Sequence, residues 1–261
     1  MVNKILIIGG GGDKISIILG YLHEHIHETL NVNSYSGCSA GAIVCFLLCI
    51  GMQPKEIWDL GVDTDIFKID KLQLKNIITN MGLQKHKVVS DILREIMIMK
   101  YGANLTLKGL YERTGKNLYI ATGNCSIKGK ELMSHKTHPN ISCIDALEAS
   151  FTIPGLFEKK IIGDCCYFDG AICDPIPIDG ILNNDDDFLI LYINSKLNGS
   201  HKNIFEYFSS VFDTMQRVLI NEQLSKCGHN VRVKTFDVGS VSLRLTKEDK
   251  VKLWKKGTEY I

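Results

Sequence analysis

A serine stands at the centre of Gly37-Cys38-Ser39-Ala40-Gly41, which has the form Gly-x-Ser-x-Gly. In a nucleophile elbow of this form, the serine occupies a strained turn between a strand and a helix, and its hydroxyl projects from the chain. The segment Val32–Ser36 before it and the apolar run Ala42–Ile50 after it predict that strand and that helix. Free N–H groups at the start of the helix favour negative charge near Ser39. The pattern therefore predicts a nucleophilic serine.

A run of glycines, Gly9–Gly12, follows the β-branched segment Lys4–Ile8. This order predicts a buried strand that opens into a loop. Because Gly10, Gly11 and Gly12 have no Cβ, a carbonyl oxygen can approach their backbone N–H groups, which makes the loop a candidate source of oxyanion donors. Two nucleotide-binding patterns, Gly-x-Gly-x-x-Gly and Gly-Lys-Ser/Thr, are not met, because Lys14 is followed by isoleucine.

A serine hydroxyl also needs a base within hydrogen-bonding distance. One option is a histidine that is itself oriented by an acidic residue. The other is a carboxylate that acts directly, and Asp169 is its best candidate because it lies between the aromatic pair Tyr167-Phe168 and a Gly-Ala turn. Asp164 and Asp174 are close by in the chain. The residues alone leave both options open; the histidines after the serine are His86, His135, His138, His201 and His229.

The elements predicted around these residues alternate between strand and helix. Helical spacing of apolar residues predicts a helix over Ser16–Thr29, and short β-rich runs predict strands at Asn117–Thr122 and Asp187–Ile193. A long helix is predicted over Ile204–Leu224, and Thr246 is predicted to begin the last one. This alternation predicts a mainly parallel α/β sheet.

Four ordered blocks resemble the patatin-like phospholipase family. Gly10-Gly11-Gly12-Asp13-Lys14 is similar to its Gly-Gly-Gly-x-Arg/Lys-Gly loop, and the pentapeptide around Ser39 is similar to its Gly-x-Ser-x-Gly. The run 146–157 is similar to its Ala-x-x-Ala-Ser-x-Ala-Ile-Pro-x-x-Phe, and Asp169-Gly170-Ala171 to its Asp-Gly-Gly/Ala. The resemblance covers about residues 4–182.

The resemblance implies a three-layer α/β/α fold with a mainly parallel central sheet and a Ser–Asp dyad in place of a triad. Ser39 would form the acyl-enzyme, Asp169 would be the general base, and Gly10, Gly11, Gly12 and Lys14 would bind the oxyanion and substrate. Gly37, Cys38, Ala40 and Gly41 would form the elbow. It implies hydrolysis of fatty-acyl esters of membrane phospholipids, without calcium, another metal or a cofactor.

One position departs from the family pattern, since Ile15 replaces the last glycine of the oxyanion motif. If that position needs positive φ or close backbone contact, isoleucine would distort the loop. Three alternatives therefore stay open beside the phospholipase. They are an acyltransferase or acylglycerol hydrolase with the same dyad, a catalytically weak lipid-binding module, and a Ser-His-Asp hydrolase.

The 261 residues suffice for one large domain. Residues 4–182 are predicted to form the catalytic core, and residues 183–261 an α/β extension that completes the same domain. A formal net charge of +1 argues for no nucleic-acid partner. Nothing indicates the oligomeric state.

The 9 cysteines are odd in number and contain no Cys-x-x-Cys pair, which argues against zinc and favours free thiols in a reducing compartment. We therefore expect a cytoplasmic protein without a signal peptide. Its longest apolar run is shorter than the ~20 residues that span a bilayer. Transient contact with a membrane surface is expected from the substrate, with the apolar residues of Gly61–Lys87 as the candidate contact or lid.

Overall fold

The computed structural model describes residues 4–64, 81–182, 186–195, 204–238 and 245–260. Within them, the strands are β1 Lys4–Ile8, β2 Val32–Cys38, β3 Gly82–Gln84, β4 Asn117–Asn124, β5 Gly129–Met133, β6 Gly155–Phe157, β7 Lys160–Ile162, β8 Cys165–Asp169, β9 Asp187–Ser195 and β10 Val231–Val238. The α-helices are α1 Ser16–Glu24, α2 Ala40–Cys49, α3 Pro54–Val62, α4 Lys87–Tyr101, α5 Leu107–Thr114, α6 Cys143–Phe151, α7 Ile204–Ser225 and α8 Lys247–Thr258. Most of the predicted lid segment, residues 65–80, lies outside the described residues.

The central sheet has the strand order β10-β9-β1-β2-β4-β8-β7, and β5 pairs with β4. The five strands from β10 to β4 are parallel, whereas β8, β7 and β5 pair antiparallel. A separate parallel pair joins β3 and β6. The prediction of a mainly parallel central sheet is confirmed.

The alternating residues of β1 divide the core into two layers. Leu6 and Ile8 belong to the larger apolar cluster, with α1, α2 and α8. Ile5 and Ile7 belong to a second cluster with Ile220 of α7. Because neighbouring side chains of a strand point to opposite faces, helices cover both faces of the sheet. This is the three-layer arrangement that the sequence predicted.

Strands β9 and β10, which lie after residue 183, belong to the same sheet as β1. Each residue of β1 from Lys4 to Ile8 pairs with one of β9 from Asp187 to Leu191. Helices α1 and α8 approach so closely that a Cβ on Gly20 would lie 2.2 Å from the Trp254 carbonyl oxygen. The division of the chain at residue 182 stays a prediction.

The sheet register brings three predicted site segments to one edge. Parallel strands β1 and β2 end side by side, with Ile8 opposite Gly37, so the glycine loop and the elbow leave the sheet together. Cys38 pairs with Ala121 of β4, and the next residue of β4, Thr122, pairs with Asp169. The edge at the carboxyl ends of parallel strands is where open α/β sheets bind ligands.

None of the described helices is both long enough and apolar enough to cross a bilayer.

Candidate active site

Ser39 forms a strained turn between β2 and α2. Its backbone has φ 53° and ψ −130°, a conformation that non-glycine residues rarely adopt. The turn is also too crowded for side chains on either side. A Cβ on Gly41 would lie 2.3 Å from the Ile8 carbonyl oxygen, and one on Gly37 would lie 2.7 Å from the Ala42 nitrogen. The predicted strand, tight turn and helix are thus present.

Ser150 of α6 holds this turn in place. The Ser39 N–H donates to Ser150 Oγ at 2.9 Å, and Ser150 Oγ donates to the Ala121 carbonyl oxygen at 2.7 Å. Both serines are buried. The sequence comparison of motifs contains Ser150 but gave it no role. A hydroxyl among the apolar residues of a buried helix was the signal available, because a buried hydroxyl requires partners.

The Ser39 hydroxyl donates a 2.6 Å hydrogen bond to Asp169 Oδ2. The other carboxylate oxygen, Oδ1, accepts from the Ala171 N–H at 2.8 Å, and the Asp169 side chain is buried. Burial raises the pKa of the Asp169 carboxyl to about 6, although the hydrogen bonds from Ser39 and Ala171 oppose that rise. A base with a pKa nearer neutrality accepts the proton of an alcohol more readily than an ordinary carboxylate does.

The other acidic candidates lie elsewhere. Asp164 is in an exposed turn between β7 and β8. Asp174 is buried, but it accepts from Lys130 Nζ at 3.1 Å and from Gln223 Nε2 at 2.5 Å. Burial raises the pKa of Asp174, and Lys130 opposes the rise. Asp174 is therefore committed to a network that holds the loop after Asp169 against α7.

No histidine within the described ranges hydrogen-bonds to Ser39 or Asp169. His86 contacts Thr152 Oγ1 at 2.8 Å, His135 stacks on Tyr111, and His229 is exposed before β10. His201 lies outside the described residues. The geometry thus favours the direct carboxylate over a Ser-His-Asp arrangement.

The glycine loop packs directly against this pair. Gly9 N–H donates to the Leu191 carbonyl oxygen at 2.9 Å, so the loop leaves the sheet after that residue. A Cβ on Gly10 would lie 2.7 Å from the Ala171 Cβ and 3.4 Å from the Ser39 Cβ. Gly12 has φ +53° and begins a 3₁₀ turn that runs to Ile15. The three glycines predicted to bind the oxyanion therefore lie beside the nucleophile.

Ile15 causes no strain in the loop. It has φ −54° and ψ −19°, which is right-handed helical backbone that any residue adopts. Its side chain packs against the main apolar cluster. The positive φ of this loop falls on Gly12 instead, so the condition under which isoleucine would distort the motif is not met.

Two neighbouring side chains have other partners. Lys14 Nζ donates to Ser195 Oγ at 2.9 Å, and burial lowers the pKa of Lys14 while the Asp213 carboxylate opposes this. Cys38 Sγ donates to the Pro175 carbonyl oxygen at 3.2 Å. Burial, together with Asp169 and Asp174, raises the pKa of the Cys38 thiol. Cys38 therefore stays protonated and is a poor nucleophile.

A cavity of about 760 Å³ opens beside the site. Gly12 and Ala40 form the part of its wall nearest to Ser39. The remaining wall is mainly apolar and comes from α1, α2, α3 and α4; it includes Leu19, Ile43, Leu47, Trp58, Leu93 and Ile96. This lining suits a hydrocarbon chain attached to a carbonyl carbon held at Ser39. The described residues contain no cluster of three or more histidine, cysteine, aspartate or glutamate side chains that could hold a metal.

A family model described as patatin-like phospholipase matches residues 6–182, more than half of the chain. The chain belongs to the patatin-like phospholipase family. The predicted family, fold class and enzyme class, a patatin-like serine hydrolase, are confirmed at this level.

Three relatives of this patatin-like chain show how far the similarity extends. It is 23% identical over 263 residues to "Probable lipid hydrolase 463L" of Invertebrate iridescent virus 6, covering 97% of this chain and 89% of that protein. It is 27% identical over 163 residues to "Triacylglycerol lipase 5" of Saccharomyces cerevisiae, covering 59% of this chain and 22% of that protein. The crystal structure of VipD from Legionella pneumophila superposes with a TM-score of 0.64 at 16% identity, covering 99% of this chain and 65% of that one.

Replacement of Ser150 tests how the patatin-like elbow is held. In Ser150→Ala, the buried Ser39 N–H and Ala121 carbonyl lose their partner, which costs about 1–3 kcal/mol. We expect Ser39 to react with a fluorophosphonate about tenfold more slowly, because the strained turn is no longer fixed. The measurement is the labelling rate, together with the melting temperature.

Ser90→Ala is the matched control. Ser90 is also a buried helical serine, but its Oγ donates only to the His86 carbonyl of its own helix at 3.1 Å. It should label at the wild-type rate. Equal labelling rates for folded Ser150→Ala and wild type would contradict the assigned role.

Proposed function

We propose that the protein is a lipid acyl hydrolase of the phospholipase A type that works through a Ser39 acyl-enzyme with Asp169 as general base. The observation that carries the proposal is the 2.6 Å hydrogen bond from Ser39 Oγ to the buried Asp169 carboxylate. The glycine loop and the apolar cavity beside this pair support it. So does the name of a relative aligned over most of its length, a probable lipid hydrolase.

In the first half-reaction, Ser39 Oγ attacks the carbonyl carbon of the ester while its proton passes to Asp169 Oδ2. The carbonyl oxygen becomes an oxyanion that accepts hydrogen bonds from the Gly11 and Gly12 N–H groups, with Gly10 as a third candidate donor. The loss of one such donor typically costs ~3 kcal/mol of transition-state stabilisation. The C–O bond to the leaving alcohol then breaks, and the alcohol takes the proton from Asp169.

In the second half-reaction, a water molecule attacks the acyl-enzyme and gives its proton to Asp169. The tetrahedral intermediate collapses, the bond from the acyl carbon to Ser39 Oγ breaks, and Ser39 recovers the proton. The fatty acid leaves and the enzyme returns to its starting state. Neither step requires a metal or a cofactor, because the dyad activates the nucleophile and the glycine loop stabilises the charge.

An acylglycerol hydrolase with the same dyad is the second candidate. It is favoured by the similarity to a yeast protein named triacylglycerol lipase, which covers 59% of this chain. Either substrate resides in a lipid surface, so we propose transient contact with one. The free thiols of all nine cysteines support a reducing, cytoplasmic compartment.

The dyad is tested by Ser39→Ala and Asp169→Asn, with fluorophosphonate labelling and with fatty-acid release from mixed phospholipid vesicles in the presence of a calcium chelator. We expect labelling and release by the wild type, neither by Ser39→Ala, and a loss of about 10²–10⁴-fold in Asp169→Asn, because general-base catalysis contributes that much.

Two control variants address the competing bases. Asp164→Asn removes an exposed carboxylate of the same segment, and His229→Ala removes a histidine of the alternative triad; both should keep wild-type rates. Loss of activity in His229→Ala with retention in Asp169→Asn would refute the dyad. Transfer of the acyl group to an added acceptor lipid faster than fatty-acid release would favour an acyltransferase.

The activity should rise with pH through the pKa of Asp169. The base must be ionised, and burial raises its pKa to about 6, so the proton is retained below that pH and the base is lost. We expect kcat/KM for a short soluble ester to rise about tenfold per pH unit below pH 6 and to level off above about pH 7. A midpoint near the ordinary carboxylate value of about 4 would contradict burial of the working base.

The length of acyl chain accepted should depend on the cavity. Ile96 of α4 lines it, whereas Ile98 of the same helix is 47% exposed. Ile96→Trp fills space that distal methylenes would occupy, and each excluded methylene costs about 0.8 kcal/mol. We expect kcat/KM for a sixteen-carbon ester to fall about tenfold, with a four-carbon ester unchanged.

Ile98→Trp adds the same side chain on the exposed face of α4 and should change neither rate. If Ile96→Trp lowered the rates of both esters equally, the cavity would not be the acyl site.

A further inference from the structure

Lys250, in the first turn of α8, is a charged residue that is only 4% exposed. Its Nζ donates to the carbonyl oxygens of Gly61 at 3.2 Å and Thr64 at 2.9 Å, at the end of α3. The same Nζ lies 3.4 Å from Asp13 Oδ1. Three parts of the chain, α8, the end of α3 and the glycine loop, therefore meet at one ammonium group.

The stability of α8 does not account for this arrangement. A cation in the first turn of a helix opposes the helix dipole. The desolvation cost of a buried ion pair also offsets most or all of the attraction between its charges. Removal of one member leaves the other charge buried without this partner, so the pair constrains geometry more than it stabilises the fold.

The geometry that the pair constrains is that of the glycine loop. Asp13 directly follows Gly12 in the 3₁₀ turn 12–15. The turn is tightened by two hydrogen bonds, from the Lys14 N–H to the Gly11 carbonyl oxygen at 3.1 Å and from Ser16 Oγ to the Asp13 carbonyl oxygen at 3.0 Å. A displacement of Asp13 is therefore transmitted to Gly11 and Gly12.

The opposite side of the loop is already in contact with β9. A Cβ on Gly11 would lie 2.5 Å from Ile193 Cδ1. Gly12, Asp13 and Lys250 all line the apolar cavity. The loop is thus confined by a side chain of β9 on one side and by the Asp13–Lys250 pair on the other.

We propose that Lys250 is a positioning residue for ester hydrolysis, which acts through Asp13 to hold Gly11 and Gly12 where their N–H groups meet the oxyanion. This inference rests on the proposed function and adds to it a residue outside the matched family region. Misplacement of a reacting or stabilising group by about 1 Å can cost about 10²-fold in rate.

The test compares wild type, Lys250→Met, Lys250→Arg, Asp13→Asn and the double variant Asp13→Asn/Lys250→Met. The assay is hydrolysis of p-nitrophenyl butyrate, a short soluble ester that requires no lipid surface. Tryptophan emission is recorded in parallel. The only tryptophans of the chain, Trp58 of α3 and Trp254 of α8, pack with ring centroids 4.7 Å apart, so their emission reports how the two helices pack.

We expect Lys250→Met to lower kcat by about 10–100-fold with KM within about twofold and with an unchanged emission maximum. Asp13→Asn should lower kcat similarly. The double variant should be no worse than either single variant, because the two residues act as one unit. Lys250→Arg, which keeps the charge, should recover part of the loss.

Lys247→Met is the matched control on the same helix turn. Lys247 pairs with Asp63 at 2.5 Å at the protein surface, and none of its hydrogen bonds or ion pairs involves the glycine loop within the described residues. It should retain the wild-type kcat.

Three outcomes would overturn the inference while leaving the proposed function intact. They are a folded Lys250→Met with wild-type kcat, losses that add in the double variant, and a loss accompanied by an equal change of emission that Lys250→Arg does not relieve. If Lys250→Met does not fold, the double variant carries the test, since it buries neither charge, and wild-type kcat in it refutes positioning. A wild type that neither hydrolyses the ester nor reacts with fluorophosphonate refutes the proposed function, and the inference with it.

Discussion

The hydrogen bond between Ser39 and a carboxylate that the fold keeps away from water is the interaction on which the site depends. Asp169 receives one donor from the nucleophile and one from the Ala171 backbone, and no lysine, arginine or histidine among the described residues forms an ion pair with it. A cation there would lower the pKa of Asp169 and weaken it as a base. The nearby cation, Lys130, pairs with Asp174 and Asp179 instead.

That hydrogen bond requires the serine to stay in a turn that its own backbone disfavours. The strain at Ser39 persists because neighbouring groups over-determine it. The contacts of Gly37 and Gly41 allow β1, β2 and α2 to approach closely, and Ser150 satisfies the amide that the turn would otherwise bury unpaired. The sheet register then places Asp169 opposite Thr122, one position along β4 from the partner of Cys38.

The features that the sequence predicted well are those written in local patterns. The elbow and the glycine loop follow from short motifs, and the parallel sheet follows from alternating elements. The helix predicted over Ser16–Thr29 instead ends at Glu24, because Ile26 is exposed and the apolar face stops at Leu22. The short strands β3, β6 and β7 were missed, since three residues give no periodicity. Ser150 and Lys250 were missed because their partners are distant in the chain.

The catalytic loop depends on parts of the chain that follow the matched family region. Strand β9 covers the edge of β1 from which the glycine loop emerges, and Ile193 of β9 fills the space beside Gly11. Helix α8 packs on α1 and carries Lys250 to Asp13. Without these contacts, β1 would be an unpaired edge strand with Ile5 and Ile7 exposed, and edge strands of this kind pair with other chains. The motifs of residues 6–182 therefore supply the reacting groups, while residues 186–260 supply the constraints that hold the loop in place.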